Sequence, residues 1–429
     1  MLRSQRTDLA RAVDMSSSLR FVAVWLVAIF VFTIPTEELV TIPGLGSITR
    51  IVGLLTMPVA LLALIDRGRL RFRVPTLFLL ASATFVLWNV VSVFWSRGPA
   101  TTLSTGMTFV QLLVFVWLVS EFCRGPAALA RLMQAFVLGN YAALGIALVL
   151  LFQTTGVARE TGRDPNEFAT VLAWGIPLAA WLVARGRRGA LYFVNLAYPA
   201  FAVFGLVLSA SRGGLLVALV ALLAIPFMIA GLGIVKRLAL VVIVSAGVVV
   251  TFDVAPQLFP QLQANLDRLA GTSEELTEGT LTGRTLIWAE SLRIIQSSPI
   301  AGVGAGAARQ LYAETLLGRQ RVAHNAFLQI ATETGLIGVL LFIAMIVVAA
   351  AGLLGMERSY RPYAVILLVA VIVSMGPLSI ELKKFTWFAL VLLANQAPVL
   401  VTIARPRWSS RIGRSGRRRQ DDRLETHSS

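Results

Sequence analysis

Cysteine, histidine and charge are all scarce in this chain of 429 residues. There is one cysteine, Cys123, there are two histidines, and 14% of the residues are charged. A lone cysteine excludes an internal disulfide framework and a cysteine-based zinc site. The low charge excludes a large solvated domain surface, because an ordinary soluble domain carries about 25% charged residues. Neither a Gly-x-Ser-x-Gly elbow nor a Walker phosphate loop occurs, and Gly302-x-Gly304-x-Gly306 follows no predicted strand, so it reads as a turn and not as a dinucleotide fingerprint. There is no Asp-x-Asp pair and no internal repeat, and Glu274, Glu275 and Glu278 read as a solvated patch, so no metal site is indicated.

Apolar sequence is what the chain has in abundance. Hydrophobic residues make up 57% and the mean hydropathy is +0.77, which points to an all-α, polytopic integral membrane protein. A bilayer core of about 30 Å needs roughly 20 apolar residues per helix. About twelve segments qualify: approximately Leu19 to Pro35, Ile48 to Ile65, Pro75 to Trp95, Leu103 to Phe122, Ala127 to Phe152, Asn166 to Ala184, Ala190 to Leu208, Gly213 to Gly231, Leu238 to Phe252, Gly335 to Gly355, Tyr363 to Ile380 and Phe385 to Ala404. The first follows arginines as a signal peptide would, but it is long enough to span and no Ala-x-Ala site follows it, so it reads as a retained helix. Pro58, Pro177 and Pro199 fall inside segments, where neighbouring helices can re-satisfy the freed backbone groups.

A net charge of +16 raises nucleic acid as a partner until the charge is located. With a cytoplasmic N-terminus, the inner segments hold 25 of the 38 basic and 8 of the 22 acidic residues, a net +17, and the outer segments net −1. The basic excess is therefore what the positive-inside rule requires, and no nucleic-acid partner follows. The tail from Arg405 to Arg423 reads as a solvated basic arm that anchors topology and meets anionic lipid. The organisation expected is residues 1–252 as helices one to nine, 253–334 as a large extracytoplasmic loop between helices nine and ten, 335–404 as helices ten to twelve, and 405–429 as a cytoplasmic tail.

The long outer loop is where chemistry is expected. A mixed stripe of Leu286, Ile287, Trp288, Leu292 and Ile295 suggests a short interfacial helix opened by Arg284 and ended by Ser297-Ser-Pro299. A second helix is expected to start near His324 and run towards Gly335. His324 is the one histidine outside the extreme C-terminal tail, and its ordinary pKa near 6.5 suits a general base; a structural role is the competing reading. Arg212, in Ser211-Arg212-Gly213-Gly214, is either a snorkelling anchor at the bilayer rim or a bidentate phosphate ligand approached through the glycines. Arg159, Arg163 and the lysines Lys383 and Lys384 lie on the outer side against the charge trend; they read either as an electropositive ring for an anionic ligand or as scattered anchors.

Taken in order, Asp164-Pro165-Asn166, Ser211-Arg212-Gly213, Gly283-Arg284-x-x-x-Trp288, Gly302-Val-Gly304-Ala-Gly306, His324-Asn325-x-x-Leu328-Gln329 and Glu333-Thr-Gly335 resemble the O-antigen ligase and polymerase superfamily. The resemblance implies a metal-independent, inverting glycosyltransferase of the GT-C type with no cofactor, in the cytoplasmic membrane of a bacterium. Its donor would be a glycan on undecaprenyl diphosphate, and its acceptor a hydroxyl on a glycan, a lipid or a protein. By motif, Arg212 and Arg284 would hold the diphosphate and His324 would take the proton of the attacking hydroxyl. Arg159, Arg163, Asn166, Asn325 and Lys383 would contribute to substrate binding. The rival is a transporter of lipid-linked oligosaccharide or polysaccharide, which predicts polar residues at mid-membrane depth and repeat symmetry.

Overall fold

The computed structural model describes residues 2–66, 69–70, 76–153, 164–186, 188–229, 231–258, 284–315 and 322–395. Apolar runs become helices because only a helix satisfies every N–H and C=O within its own segment where water is absent. The helices are α1 (Leu2–Thr33), α2 (Ile48–Ala63), α3 (Leu77–Val91), α4 (Pro99–Phe122), α5 (Pro126–Gln153), α6 (Pro165–Arg185), α7 (Ala190–Ser209) and α8 (Arg212–Met228). They continue as α9 (Ile234–Leu258), α10 (Arg284–Ser297), α11 (Ala308–Thr315), α12 (Ala326–Ala351), α13 (Arg361–Met375) and α14 (Lys384–Ala394). The strands among the described residues are two-residue pairs, Thr41–Ile42 with Gly46–Ser47 and Ile65–Asp66 with Arg69–Leu70.

Each of the twelve apolar segments coincides with a helix. Among the described residues eight helices are long and apolar enough to cross a membrane, whereas α2, α8, α13 and α14 are apolar but shorter. The chain is thus an all-α, multi-pass membrane protein. Helix ends differ from the hydropathy limits, since backbone bonding continues past the last apolar residue: α1 starts at Leu2 and α9 reaches Leu258. α14 closes at Ala394, and residues 396–404, the basic tail and the acidic patch at 274–278 lie outside the described residues. α10 and α11 occupy the polar stretch. α10 begins at Arg284 and ends at Ser297, as its stripe and its Ser-Ser-Pro stop predict.

α6 is the most enclosed of the eight, with 72% of its span buried, while α9 has none and lies at the periphery. Small residues set the close approaches around α6. A Cβ on Gly214 would lie 2.2 Å from Ala169, so α8 meets α6 almost backbone to backbone. Trp174 donates to Ser374 Oγ at 3.0 Å, tying α6 to α13, and Tyr198 donates to the Leu172 carbonyl at 2.8 Å, tying it to α7. Phe85, Phe109, Phe342 and Trp387 join α3, α4, α12 and α14 through ring contacts of 5.4 to 6.4 Å.

Contacts between chain reversals fall into two sets. In one set the segment after α1 meets that before α14 (Lys383 with Glu38), the start of α6 meets the α7–α8 turn (Asn166 with Ser211), and the α3–α4 reversal meets residues 301–305. In the other, Arg20 approaches Glu121 at 4.0 Å, and Arg185 lies 5.2 Å from the Tyr360 ring. The first set gathers every outer reversal of the sequence count that the described residues include, and the second gathers inner ones.

Candidate active site

Helix α12 is broken, and the break organises the loop above it. Gly335 has φ 67° and ψ −166°, so the helix from Ala326 stops there and restarts at Leu336. A break strands carbonyls on one side and amides on the other, and buried groups of this kind need partners. The glycine turn supplies them. Val303 and Gly304 donate to the Thr332 and Glu333 carbonyls at 3.2 and 2.8 Å, while Leu336 and Ile337 donate to the Pro299 and Ile300 carbonyls at 2.9 and 3.3 Å. Trp88 Nε1 covers the Thr334 carbonyl at 3.0 Å, and Trp95 Nε1 reaches the Ala301 carbonyl at 3.0 Å. Such contact leaves no room for side chains: a Cβ on Gly302 would lie 2.4 Å from the Glu333 carbonyl, and one on Gly335 2.2 Å from the Ile300 oxygen.

His324 precedes this helix in a left-handed conformation, φ 49°, uncommon for a residue other than glycine. Asn325 follows as N-cap, its side chain accepting from Leu328 N–H at 3.0 Å. Ahead of His324, the Ala323 peptide is held from both sides. Its carbonyl accepts from Trp288 Nε1 at 2.8 Å and its N–H donates to Gln329 Oε1 at 2.9 Å. Trp288 lies one helical turn beyond Arg284, so the tryptophan that anchors α10 also fixes Arg284 relative to His324.

The arginines are set by a second network. Asp164 caps α6, accepting from the Asn166 backbone N–H and from its Nδ2, both at 2.9 Å. The amide is thereby oriented so that Oδ1 accepts from Ser211 Oγ at 2.9 Å, and Ser211 Oγ in turn accepts from Gly214 N–H at 3.0 Å as the cap of α8. Arg212 is the first residue of α8. Arg284 is half-buried, which pushes its pKa down, and Asp164 opposes that shift, so Arg284 lies within electrostatic reach of the α6 cap. Its Nε is buried with no hydrogen-bond partner among the described residues.

Lys383 sits beside this network but is already engaged, with Nζ 2.9 Å from Glu38 and 2.5 Å from Glu167. Burial alone would lower its pKa; the two carboxylates outweigh that and raise it. Lys384 pairs with Glu37. Arg159 and Arg163 lie outside the described residues. The structure thus gathers Arg212, Arg284, Asn166 and Lys383 around the α6 cap, and links His324 and Asn325 to it through α10. Ser211, Trp288, Gln329 and Glu333 hold that arrangement; the motifs contain them, but spacing does not tell which loops meet. Among the described residues no group of three or more His, Cys, Asp or Glu is placed to hold a metal ion.

A family model described as O-Antigen ligase matches residues 197–343, the stretch that holds Arg212, Arg284 and His324. Over that stretch, about a third of its length, the chain is similar to the O-antigen ligase family. The chain is also similar to the exopolysaccharide production protein ExoQ of Rhizobium meliloti (strain 1021), at 24% identity over 286 residues. That match covers 62% of this chain and 63% of the relative, so it spans somewhat less than two thirds of the relative's length.

Proposed function

We propose that this protein is an inverting glycosyltransferase, ligase or polymerase in type, which transfers a glycan from undecaprenyl diphosphate to an acceptor hydroxyl at the outer face of the cytoplasmic membrane, in the synthesis of cell-surface polysaccharide. The observation that carries this reading is the linkage of the three motif residues: Arg284 within reach of Asp164, Asp164 bonded to Asn166, Asn166 to Ser211 beside Arg212, and Trp288 bonded to the residue before His324. Two guanidinium forks beside one helix start suit a diphosphate, whose departure builds negative charge that preorganised donors must take up. The buried, unpartnered Nε of Arg284 is a donor in want of such an oxygen. His324 takes the proton from the attacking hydroxyl. Asn166 orients the Arg212 turn, and Lys383 with its two carboxylates braces the same helix start; Arg159, Arg163 and Asn325 complete the proposed binding set. Twelve spans with both termini cytoplasmic follow from the charge count, and the sorting of reversals into two sets supports it.

The transporter reading is weaker because, among the described residues, the buried acids Glu121, Glu333 and Glu381 lie in a last helical turn, beside the break at Gly335 and in a reversal, and a buried polar group at mid-span such as Asn140 of α5 is uncharged. Reconstituted protein given a lipid-diphosphate glycan and a glycan acceptor tests the proposal. Arg212→Lys keeps the charge and loses the fork; turnover should fall on the order of 10²-fold. Undiminished transfer in that variant, or movement of lipid-linked glycan across the bilayer without transfer, would overturn the reading.

A further inference from the structure

We propose that Gln329 and Glu333 form a positioning relay that holds the His324 turn in its left-handed conformation, with Glu333 dictating which way the Gln329 amide faces. This rests on the reading of His324 as the base.

A backbone in this region is strained for a residue with a side chain, so its neighbours must hold it there. The Gln329 carbonyl oxygen does so by accepting from Ala323 N–H at 2.9 Å. An amide does not orient itself, however, because its O and N ends are nearly the same size. Flipped, Gln329 would point N–H groups at the Ala323 N–H and the contact would become repulsive. Glu333 prevents the flip. One turn further along the same helix face, its Oε1 accepts from Gln329 Nε2, and a carboxylate offers nothing to a carbonyl oxygen.

Both side chains are enclosed, Gln329 at 2% and Glu333 at 5% exposure, so water cannot substitute for either partner. Glu333 also accepts from Gly306 N–H, which ties the relay to the glycine turn. The charged and titratable groups facing Glu333 are Arg309 and Tyr312 on α11 and Glu381 from the reversal after α13. None of these bonds needs substrate, so the relay is complete before substrate binds.

Exchanging the two side chains tests the relay. Glu333→Gln presents an amide that accepts the flipped Gln329 as readily as the native one, and kcat should fall on the order of 10-fold with KM for the lipid-linked donor unchanged. Gln329→Glu sets two carboxylates against each other, with a loss at least as large. In the double variant Gln329→Glu/Glu333→Gln the pattern is restored: the carboxylate at 329 accepts from Ala323 N–H, the amide at 333 donates to it, and its carbonyl accepts from Gly306 N–H. We expect kcat to return to within about threefold of the parent. The acidic limb of its pH profile should move to higher pH, because the carboxylate now stands one turn closer to His324 and favours the protonated ring.

Single variants with parental kcat, or a double variant no better than the worse single one, would overturn the relay. A double variant that folds and turns over where either single fails to fold supports it; a double variant that also fails to fold counts against it. His324→Ala, assayed alongside, separates the two ideas. If it retains turnover the base assignment falls; if it is inactive and the exchange does not rescue, the relay alone falls.

Discussion

Two kinds of left-handed turn meet at the same end of this molecule. At Gly302, Gly304, Gly306 and Gly335 the backbone has positive φ and no side chain, and each glycine lies against a neighbouring segment where a Cβ would collide. Ala210 and His324 have φ of 51° and 49°, and they are the two non-glycine residues with positive φ among the described residues. One stands two positions before Arg212 and the other is the proposed base. At these glycines the fold needs only close packing; at His324 a functional side chain is presented and the conformational cost, about 1 to 2 kcal/mol, is borne. Strain set beside function in this way is an observation from which function is inferred.

Substitution can break or sharpen that contrast. The largest effect is expected from His324→Gly, which relaxes the backbone and deletes the ring. Transfer should fall on the order of 10²- to 10⁴-fold while the melting temperature holds or rises; a melting temperature that drops by many degrees would mean that the ring packs and does not react. Gly302→Ala acts in the opposite sense. Its Cβ would lie 2.4 Å from the Glu333 carbonyl in a backbone hostile to L side chains, so a loss of about 3 kcal/mol is expected in thermal or denaturant unfolding.

A third test asks whether strain at this end is confined to the backbone. Glu381 is buried in the reversal after α13 with its Oε2 unpartnered among the described residues. Burial pushes its carboxyl from 4.5 up to about 8, and the nearby Glu333 adds to the shift. Because the folded pKa is the higher one, its contribution to stability is fully present below pH 4.5 and is lost as pH rises through about 8. Glu381→Gln should remove its share of that slope, up to about 1 kcal/mol per pH unit, so that unfolding of the variant depends less on pH across the window than that of the parent. A parent and variant with parallel pH profiles would refute it. The smallest effect belongs to Ala210→Gly: relief of strain offsets the added freedom of the unfolded chain, for a net gain of about 0.5 kcal/mol with transfer unchanged.

The helices were legible in sequence because hydropathy is a local property. The twelve apolar segments, the start of α10 at Arg284 and the helix after His324 all follow from runs, stripes and stop signals. The junctions were not legible in the same way. Trp88 meets Thr334 across 246 positions and Ser211 meets Asn166 across 45, and no period encodes such meetings. Gly335 stands between two expected helices and the structure breaks there; what spacing does not encode is that the glycine turn covers the groups stranded by the break. Lys383 stands out as a charge on the wrong side; its carboxylate partners, Glu38 in the reversal after α1 and Glu167 in the first turn of α6, are far apart in sequence and meet only in the fold.

The double anchoring of the Ala323 peptide, by Trp288 and by Gln329, gives the proposed reaction a stationary centre. If glycan is transferred here, donor and acceptor must both be brought to His324, because the peptide before it is held at its carbonyl and at its N–H by two different segments.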